Sequence, residues 1–224
     1  MEVKCLRVGE LRTNCYLIWD EDTFDCFIID PGDDADFITT EILQLKLKPQ
    51  AILLTHGHYD HCLACLELKL NFNVPIYLDP KDNFLYQNAS KSAGHWSKQP
   101  VIARSKTTKQ SPTFKQPPTV PFPKNIKLGN TTFKVIHTPG HTPGSCSFLV
   151  SPVKGRSGCA ERGSSALFVG DTIFEDGVGR TDFSYSSASD LKKSISQIRS
   201  FPENTLLYPG HENTPFFLST INNS

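Results

Sequence analysis

The sequence predicts an α/β protein built from short buried strands, with its reactive side chains gathered where those strands end. Three observations lead there. Short apolar runs closed by turn residues alternate along the chain with segments of helical spacing. Four of those runs end beside a glycine with a histidine or aspartate at the turn. The densest, Ala51-Ile-Leu-Leu-Thr-His-Gly-His-Tyr-Asp-His61, brings His56, His58, Asp60 and His61 into six positions, in a chain with 7 histidines among 224 residues.

In order, residues 3–8 and 15–19 read as strands joined by a turn at 9–14, and 24–30 as a third that stops at Pro31-Gly32. Helical spacing of Ile38, Ile42 and Leu45 predicts a helix over 39–47, closed by Pro49. A strand over 51–54 leads into the histidine cluster, and a helix is expected over 61–70. A strand over 74–78 follows, after which Pro80 and Asp82 can open a helix towards Tyr86. From 91 to 123 the chain is rich in Lys, Ser, Thr, Gln and Pro, which predicts a surface excursion. A second insert is expected at 151–165, where Gly155, Gly158 and Gly163 fall among serines. Strands resume at 126–128, 132–136, 145–150 and 166–169. Leu191, Ile195 and Ile198 share one face of an amphipathic helix over 187–200, and 206–208 is the last strand expected.

Composition narrows the function classes. Apolar residues at 38 % and charged residues at 21 % describe an ordinary globular chain, long enough for one substantial core. Lys plus Arg equals Asp plus Glu at 23 each, which offers no general attraction to nucleic acid or to anionic membranes. The first residues carry no basic-then-apolar signal and no apolar run reaches membrane length, so a cytoplasmic location is expected. The seven cysteines are scattered, and Cys62-Leu-Ala-Cys65 has no second pair to complete a zinc finger. Reduced helix cysteines are the expectation for that pair.

The polar clusters point to metal chemistry. Period-two alternation places His56 and His58 on one side of an extended segment, where two imidazoles can chelate one ion. Asp60 and His61 sit on the following turn and aim elsewhere, compatible with a second ion beside the first. Val135-Ile-His-Thr-Pro-Gly-His-Thr-Pro-Gly144, Leu167-Phe-Val-Gly-Asp-Thr172 and Leu207-Tyr-Pro-Gly-His211 each repeat the pattern of apolar run, glycine and metal-capable side chain. Glycine lets the backbone turn sharply there. Ligands arriving from separate strand ends suit a rigid, preorganised site.

These strings resemble the successive motifs of the metallo-β-lactamase-fold hydrolases, and among them the glyoxalase II type. The resemblance runs from Arg7-Val-Gly-Glu to His211, interrupted by the two inserts. It implies a single domain with a four-layer αβ/βα sandwich of two mixed sheets, helices outside and a dinuclear site at one edge. It assigns His56, His58 and His141 to one metal, Asp60, His61 and His211 to the other, and Asp171 to a bridge between them. The implied cofactor is two divalent ions, zinc foremost, with iron and manganese also suited to imidazole and carboxylate. The implied reaction is hydrolysis of a small-molecule thioester, S-D-lactoylglutathione or a related S-2-hydroxyacylglutathione. A metal-bridging hydroxide, oriented by Asp60, would be the nucleophile. His137, four residues before His141, is expected to pack or to hydrogen-bond behind the ligands, and His95 to lie on the surface. Asp30 reads either as a support for the site or as a turn residue.

Arg180, in Asp176-Gly-Val-Gly-Arg-Thr-Asp182, falls where glyoxalase II enzymes carry a basic residue that touches glutathione, so it could grip a substrate carboxylate. An ion pair with Asp182 is the equal alternative. The chain ends thirteen residues after His211, without the C-terminal helical region of longer glyoxalase II enzymes. Gly179-Arg-Thr-Asp-Phe183 also resembles a segment of persulfide dioxygenases, which hold one iron; here His56, His141 and Asp171 would hold it. A lactonase and a nuclease of the same fold are more distant readings, the last disfavoured by the neutral charge.

Overall fold

The computed structural model describes residues 1–96, 116–151, 164–211 and 215–222. Two sheets form the body. The first contains β1 (Glu2–Val8), β2 (Thr13–Trp19), β3 (Asp25–Ile29), β4 (Lys48–Leu53) and β5 (Ile76–Tyr77), in that spatial order. Its first three strands are antiparallel, and β3, β4 and β5 run parallel. The second contains β6 (Asn125–Leu128), β7 (Thr131–His137), β8 (Cys146–Val150), β9 (Ala166–Gly170), β10 (Leu206–Pro209) and β11 (Phe216–Phe217), again neighbour to neighbour. Only β9 and β10 pair in parallel there.

Strand parity sets the layers. Tyr16, Ile18, Phe27, Ile29 and Leu53 face Phe133, Phe148, Phe168, Leu206 and Tyr208 in one core between the sheets. The alternate residues Leu17, Ile28 and Ile52 face outward and pack on Ile38, Ile42 and Leu68 of the first sheet's helices. Leu167, Val169 and Leu207 do the same on the other side, against Ile198, Leu218 and Ile221. The inner strands β2, β9 and β10 are therefore buried on both faces and read as near-continuous apolar runs, while β1, β6 and β7 leave alternate residues exposed. The result is the four-layer αβ/βα sandwich with helices outside. Tyr16 Oη donates to Pro209 O at 2.6 Å and Asn14 N–H to Gly210 O at 2.7 Å, tying the sheets together beside the ends of β2 and β10.

The helices are α1 (Ala35–Gln44), α2 (Tyr59–Cys62), α3 (Cys65–Phe72), α4 (Asn83–Gln87), α5 (Ala89–Trp96), α6 (Ala188–Arg199) and α7 (Leu218–Asn222). Several differ from expectation for physical reasons. α1 starts before 39 and stops before 47. It begins after Asp34 at φ 55°, without a side-chain cap, and closes where Lys46 at φ 55° lets Leu47 N–H return to Ile42 O. The helix expected over 61–70 is split. Leu63 N–H is shared between Tyr59 O and Gly32 O, and Ala64 N–H donates to Pro31 O, so the loop after β3 interrupts the helical ladder at Ala64. Capping of α6 follows the usual chemistry: the Ser187 side chain accepts from Asp190 N–H.

The described parts of the surface excursion expected at 91–123 adjoin regular elements at both ends. The excursion opens inside α5, whose Ala89 and Ala93 are buried, and near its far end Val120 bridges Tyr77 at the edge of β5. Residues 97–115 and, in the second insert, 152–163 lie outside the described residues, as does the side chain of His95. Among the described residues, Cys5, Cys15, Cys26, Cys62, Cys65 and Cys146 are free thiols, and Cys62 and Cys65 are fully buried. No described helix is long and apolar enough to cross a membrane.

Candidate metal centre

Four strand ends meet at one edge of the sandwich. After β4 the chain turns through Thr55–His58, and α2 then presents Asp60 and His61 within one turn. His141 lies in the turn between β7 and β8, Asp171 directly follows β9, and His211 follows β10. All seven side chains converge. His56, His58 and His141 form one group and Asp60, His61 and His211 another, each with its donor atoms within 4.8 Å of one another.

The two groups share a carboxylate. Asp171 Oδ2 is 3.6 Å from His141 Nε2 and 3.5 Å from His211 Nε2, while its Oδ1 is 3.5 Å from His61 Nε2. In the first group, His58 Nδ1 lies 3.0 Å from both His56 Nε2 and His141 Nε2. In the second, Asp60 Oδ2 lies 3.3 Å from His211 Nε2 and 3.6 Å from His61 Nε2. Gly210 is required at its position, because any Cβ there would collide with Asp171 Oδ1.

Every imidazole is held by its far nitrogen. His56 Nδ1 meets Thr55 Oγ1 at 3.0 Å, His61 Nδ1 meets Asp30 Oδ2 at 3.1 Å, and His141 Nδ1 meets Arg180 O at 2.9 Å. His211 Nδ1 meets Leu11 O at 3.2 Å and His58 Nε2 meets Tyr185 Oη at 2.8 Å. Such partners fix ring orientation and tautomer, leaving the near nitrogen to face the centre. Asp30 is thereby a support. It sits at φ 50°, fully buried, and accepts from Thr55 N–H at 2.7 Å, from Thr55 Oγ1 at 2.6 Å and from His61. Although it lies close to His56 and His61, its oxygens are committed outward.

The groups differ in charge. Burial, then the neighbouring His61 and His58, hold His56 well below the usual imidazole value; burial and His141 hold His58 down to about 3. Those rings are neutral, with lone pairs available. In the second group burial opposes charge, yet hydrogen bonds to Asp171 and Asp60 push His211 up to about 9. His61 is likewise raised: burial works against it, but Asp171 and Asp60 outweigh that cost. Burial also disfavours the Asp171 carboxylate, and His61 and His211 more than offset it. A divalent cation would do the electrostatic work of these protons.

Two buried atoms make the fit specific. His61 Nε2 and Asp171 Oδ1 have no hydrogen-bond partner, an arrangement that costs free energy unless a ligand completes it. With converging imidazoles and carboxylates around them, divalent metal fits the donor set.

The remaining candidates separate from this centre. His137 is exposed, with Nε2 at 3.7 Å from Asp79 Oδ2, and it stands behind no ligand. Its expected place in packing or behind the ligands is corrected: as the last residue of β7 it is exposed and its nearby charged group is Asp79. Arg180 forms a fork to Asp182, Nε to Oδ1 at 2.7 Å and Nη2 to Oδ2 at 2.6 Å, and its guanidinium lies 4.5 Å over the Phe183 ring. The ion-pair alternative is thus realised, using only part of the guanidinium's donors. Reading the sequence missed Thr55 and Tyr185 as orienting partners, and Thr13, whose hydroxyl donates to Asp60 Oδ2 at 3.3 Å. Thr55 had a signal in its adjacency to His56; Tyr185 and Thr13 are distant in sequence and had none.

Comparison with known proteins agrees with this architecture. The pattern of the Metallo-beta-lactamase superfamily matches residues 8–154. A relative named Hydroxyacylglutathione hydrolase GloC, from Haemophilus influenzae, is 31% identical over 213 residues, covering 94% of this chain and 91% of its own. Among solved structures, the BLEG-1 B3 metallo-beta-lactamase superposes with TM-score 0.78 at 29% identity, over 99% of this chain and 97% of that one. TTHA1623 in a di-iron-bound form gives 0.77 at 29%, over 98% and 96%. With its two-sheet sandwich and its His/Asp cluster at the sandwich edge, this chain belongs to the metallo-beta-lactamase superfamily of metal-dependent hydrolases.

Proposed function

We propose that the protein hydrolyses thioesters at a centre of two divalent ions, with S-2-hydroxyacylglutathiones such as S-D-lactoylglutathione as the substrate class. The observation that carries this reading is the doubled donor set: two groups of three ligands joined by Asp171, with His61 Nε2 and Asp171 Oδ1 buried 3.5 Å apart and without a hydrogen bond. His56, His58 and His141 would hold one ion through their ring nitrogens, and Asp60, His61 and His211 the other. Asp171 Oδ2 stands between them. The GloC relative supports the thioester as substrate, and the di-iron form of TTHA1623 supports double occupancy and makes iron a rival to zinc.

Bound there, two ions activate water at neutral pH and polarise a carbonyl. The chain's own groups do the rest. Asp60, steadied by Thr13, accepts a hydrogen bond from the attacking water and aims it. Tyr185, Phe183 and Phe84 flank the His58 and His141 side, Phe183 and Tyr185 stacked at 5.2 Å, and present an apolar wall to the substrate. Arg180 stands over that wall and can share its guanidinium between Asp182 and a substrate carboxylate. A thiolate leaves without requiring a proton, so no separate general acid is needed.

The test is to purify the protein without added metal, measure metal per chain, and assay S-D-lactoylglutathione hydrolysis beside oxygen uptake with glutathione persulfide. Two ions and thioester cleavage are expected. A single iron with oxygen uptake and no thioester cleavage would establish instead the persulfide dioxygenase reading, in which His56, His141 and Asp171 alone hold the metal.

A further inference from the structure

One buried carboxylate stands between the loops that carry His56, His58 and His141, and it belongs to none of the four motifs. Asp82 closes the short 3-10 turn Pro80–Asp82 and is fully buried. Its Oδ2 accepts from Gly57 N–H at 3.0 Å and from the Thr142 hydroxyl at 2.6 Å; its Oδ1 accepts from Gly144 N–H at 2.6 Å. Gly57 separates His56 from His58, and Thr142 directly follows His141. The seat is shaped for this residue. A Cβ at Gly57 would lie 2.7 Å from the Asp82 backbone oxygen, and one at Gly144 would lie 2.6 Å from its carboxyl. Both glycines are therefore required for Asp82 to approach the two loops.

The contacts explain why a charge is tolerated there. A buried carboxylate is costly unless its lone pairs find donors, and these three donors, from two separate segments, work against the burial that pushes the Asp82 pKa up. A backbone N–H cannot be lengthened or rotated to suit, so the two loops are held at the separation the carboxylate dictates. His58 Nδ1 also meets His141 Nε2 at 3.0 Å and Cys146 N–H reaches Thr55 O at 2.8 Å, but Asp82 is the side chain that holds both segments by their backbone N–H groups, those of Gly57 and Gly144.

We propose that Asp82 is a positioning residue for the ion held by His56, His58 and His141, setting the distance between the two loops that supply those three imidazoles. The inference rests on the two-ion reading above. It makes an asymmetric claim, because Asp60, His61 and His211 hang on α2 and on the end of β10, which Asp82 does not touch.

The experiment is metal binding to the full chain. Metal-depleted wild type, Asp82→Asn and Thr142→Val are titrated with Zn(II), the bound ions are counted, and the melting temperature of each metal-free protein is recorded. In Asp82→Asn an NH2 donor replaces one acceptor oxygen and faces an N–H or hydroxyl donor. The expected result is one ion bound as tightly as in wild type and the other weakened by about 10–100-fold, the range found when orienting partners of metal ligands are removed. Thr142→Val, which removes one donor and keeps the carboxylate, should weaken the same ion by less. Wild-type affinity for both ions in Asp82→Asn would overturn the proposal. Equal weakening of both ions with a large fall in metal-free melting temperature would overturn it too, since Asp82 would then serve the fold alone. Should Asp82→Asn fail to fold, Thr142→Val decides: unchanged binding of both ions refutes the role. A wild type that binds no metal would sink the two-ion reading itself, which is a distinct outcome.

Discussion

The two halves of the centre are built from the same kind of strand end, yet they solve different electrostatic problems. His56, His58 and His141 are oriented by neutral partners: a threonine hydroxyl, a tyrosine hydroxyl and a backbone carbonyl. Asp60, His61 and His211 sit among carboxylates, with Asp30 behind His61 and Asp171 in front. In the first half burial keeps His56 and His58 neutral, whereas in the second acidic neighbours favour protonated rings at His61 and His211. A cation entering the first half meets ready lone pairs; one entering the second must displace protons but finds two carboxylates. Asp171 belongs to both. Two ions held this way are chemically unlike, one in a nitrogen-rich and one in an oxygen-rich setting.

The largest expected effect follows from that shared carboxylate. Asp171→Ala should release both ions to a chelator that leaves the wild type loaded, and thioester hydrolysis should fall to background. Metal analysis after dialysis, beside the activity assay, checks it. Retention of one tightly held ion would show that the halves are independent and that Asp171 serves only one of them.

Next in size are changes confined to one half. His58→Ala should abolish turnover and leave the fold largely intact, with metal content near one ion per chain by the ligand arithmetic of a three-donor group. His61→Ala should remove the other ion, and with it the partner of Asp30. His137→Ala is the matching control: His137 is exposed and faces Asp79, outside both donor groups, so the variant should keep full metal and much of the activity. Comparable losses from His58→Ala and His137→Ala would mean that the wrong histidines have been grouped.

How far the sequence reveals this arrangement depends on length and on locality. The inner strands could be read because β2, β9 and β10 are buried on both faces, so their apolar runs are uninterrupted. The seven donors could be read because each follows such a run at a glycine turn. Elements that do not complete a second period could not: β11 has two residues and α7 has five, too few for alternation or helical spacing to show. α5 was hidden by its small polar composition, since Ala89 and Ala93 bury little surface and leave no apolar stripe. Partners that act across the fold had no local signal either. Asp82 looks like a helix opener beside Pro80, and Tyr185 like one aromatic among serines, until the loops close over His58.

Tyr185 offers the smallest and most discriminating test of the contrast between the halves. Its hydroxyl meets His58 Nε2 at 2.8 Å, and its ring is fixed by stacking on Phe183 and by an edge contact with Phe84. Tyr185→Phe removes the hydroxyl and keeps the stack, so the wall beside the centre survives while His58 loses the partner that orients it. The ion of the first half should bind more weakly, by about tenfold, the lower end of the range for such partners. The ion of the second half should be unaffected, because its ligands are oriented by Asp30, the Leu11 carbonyl and the Thr13 hydroxyl and none by Tyr185. Competitive chelation read ion by ion separates the two. Equal weakening of both would mean that the halves communicate through Asp171 more strongly than their separate orienting partners suggest. A loss of activity with unchanged metal affinity would place the Tyr185 hydroxyl on the substrate and leave the orientation of His58 to burial alone.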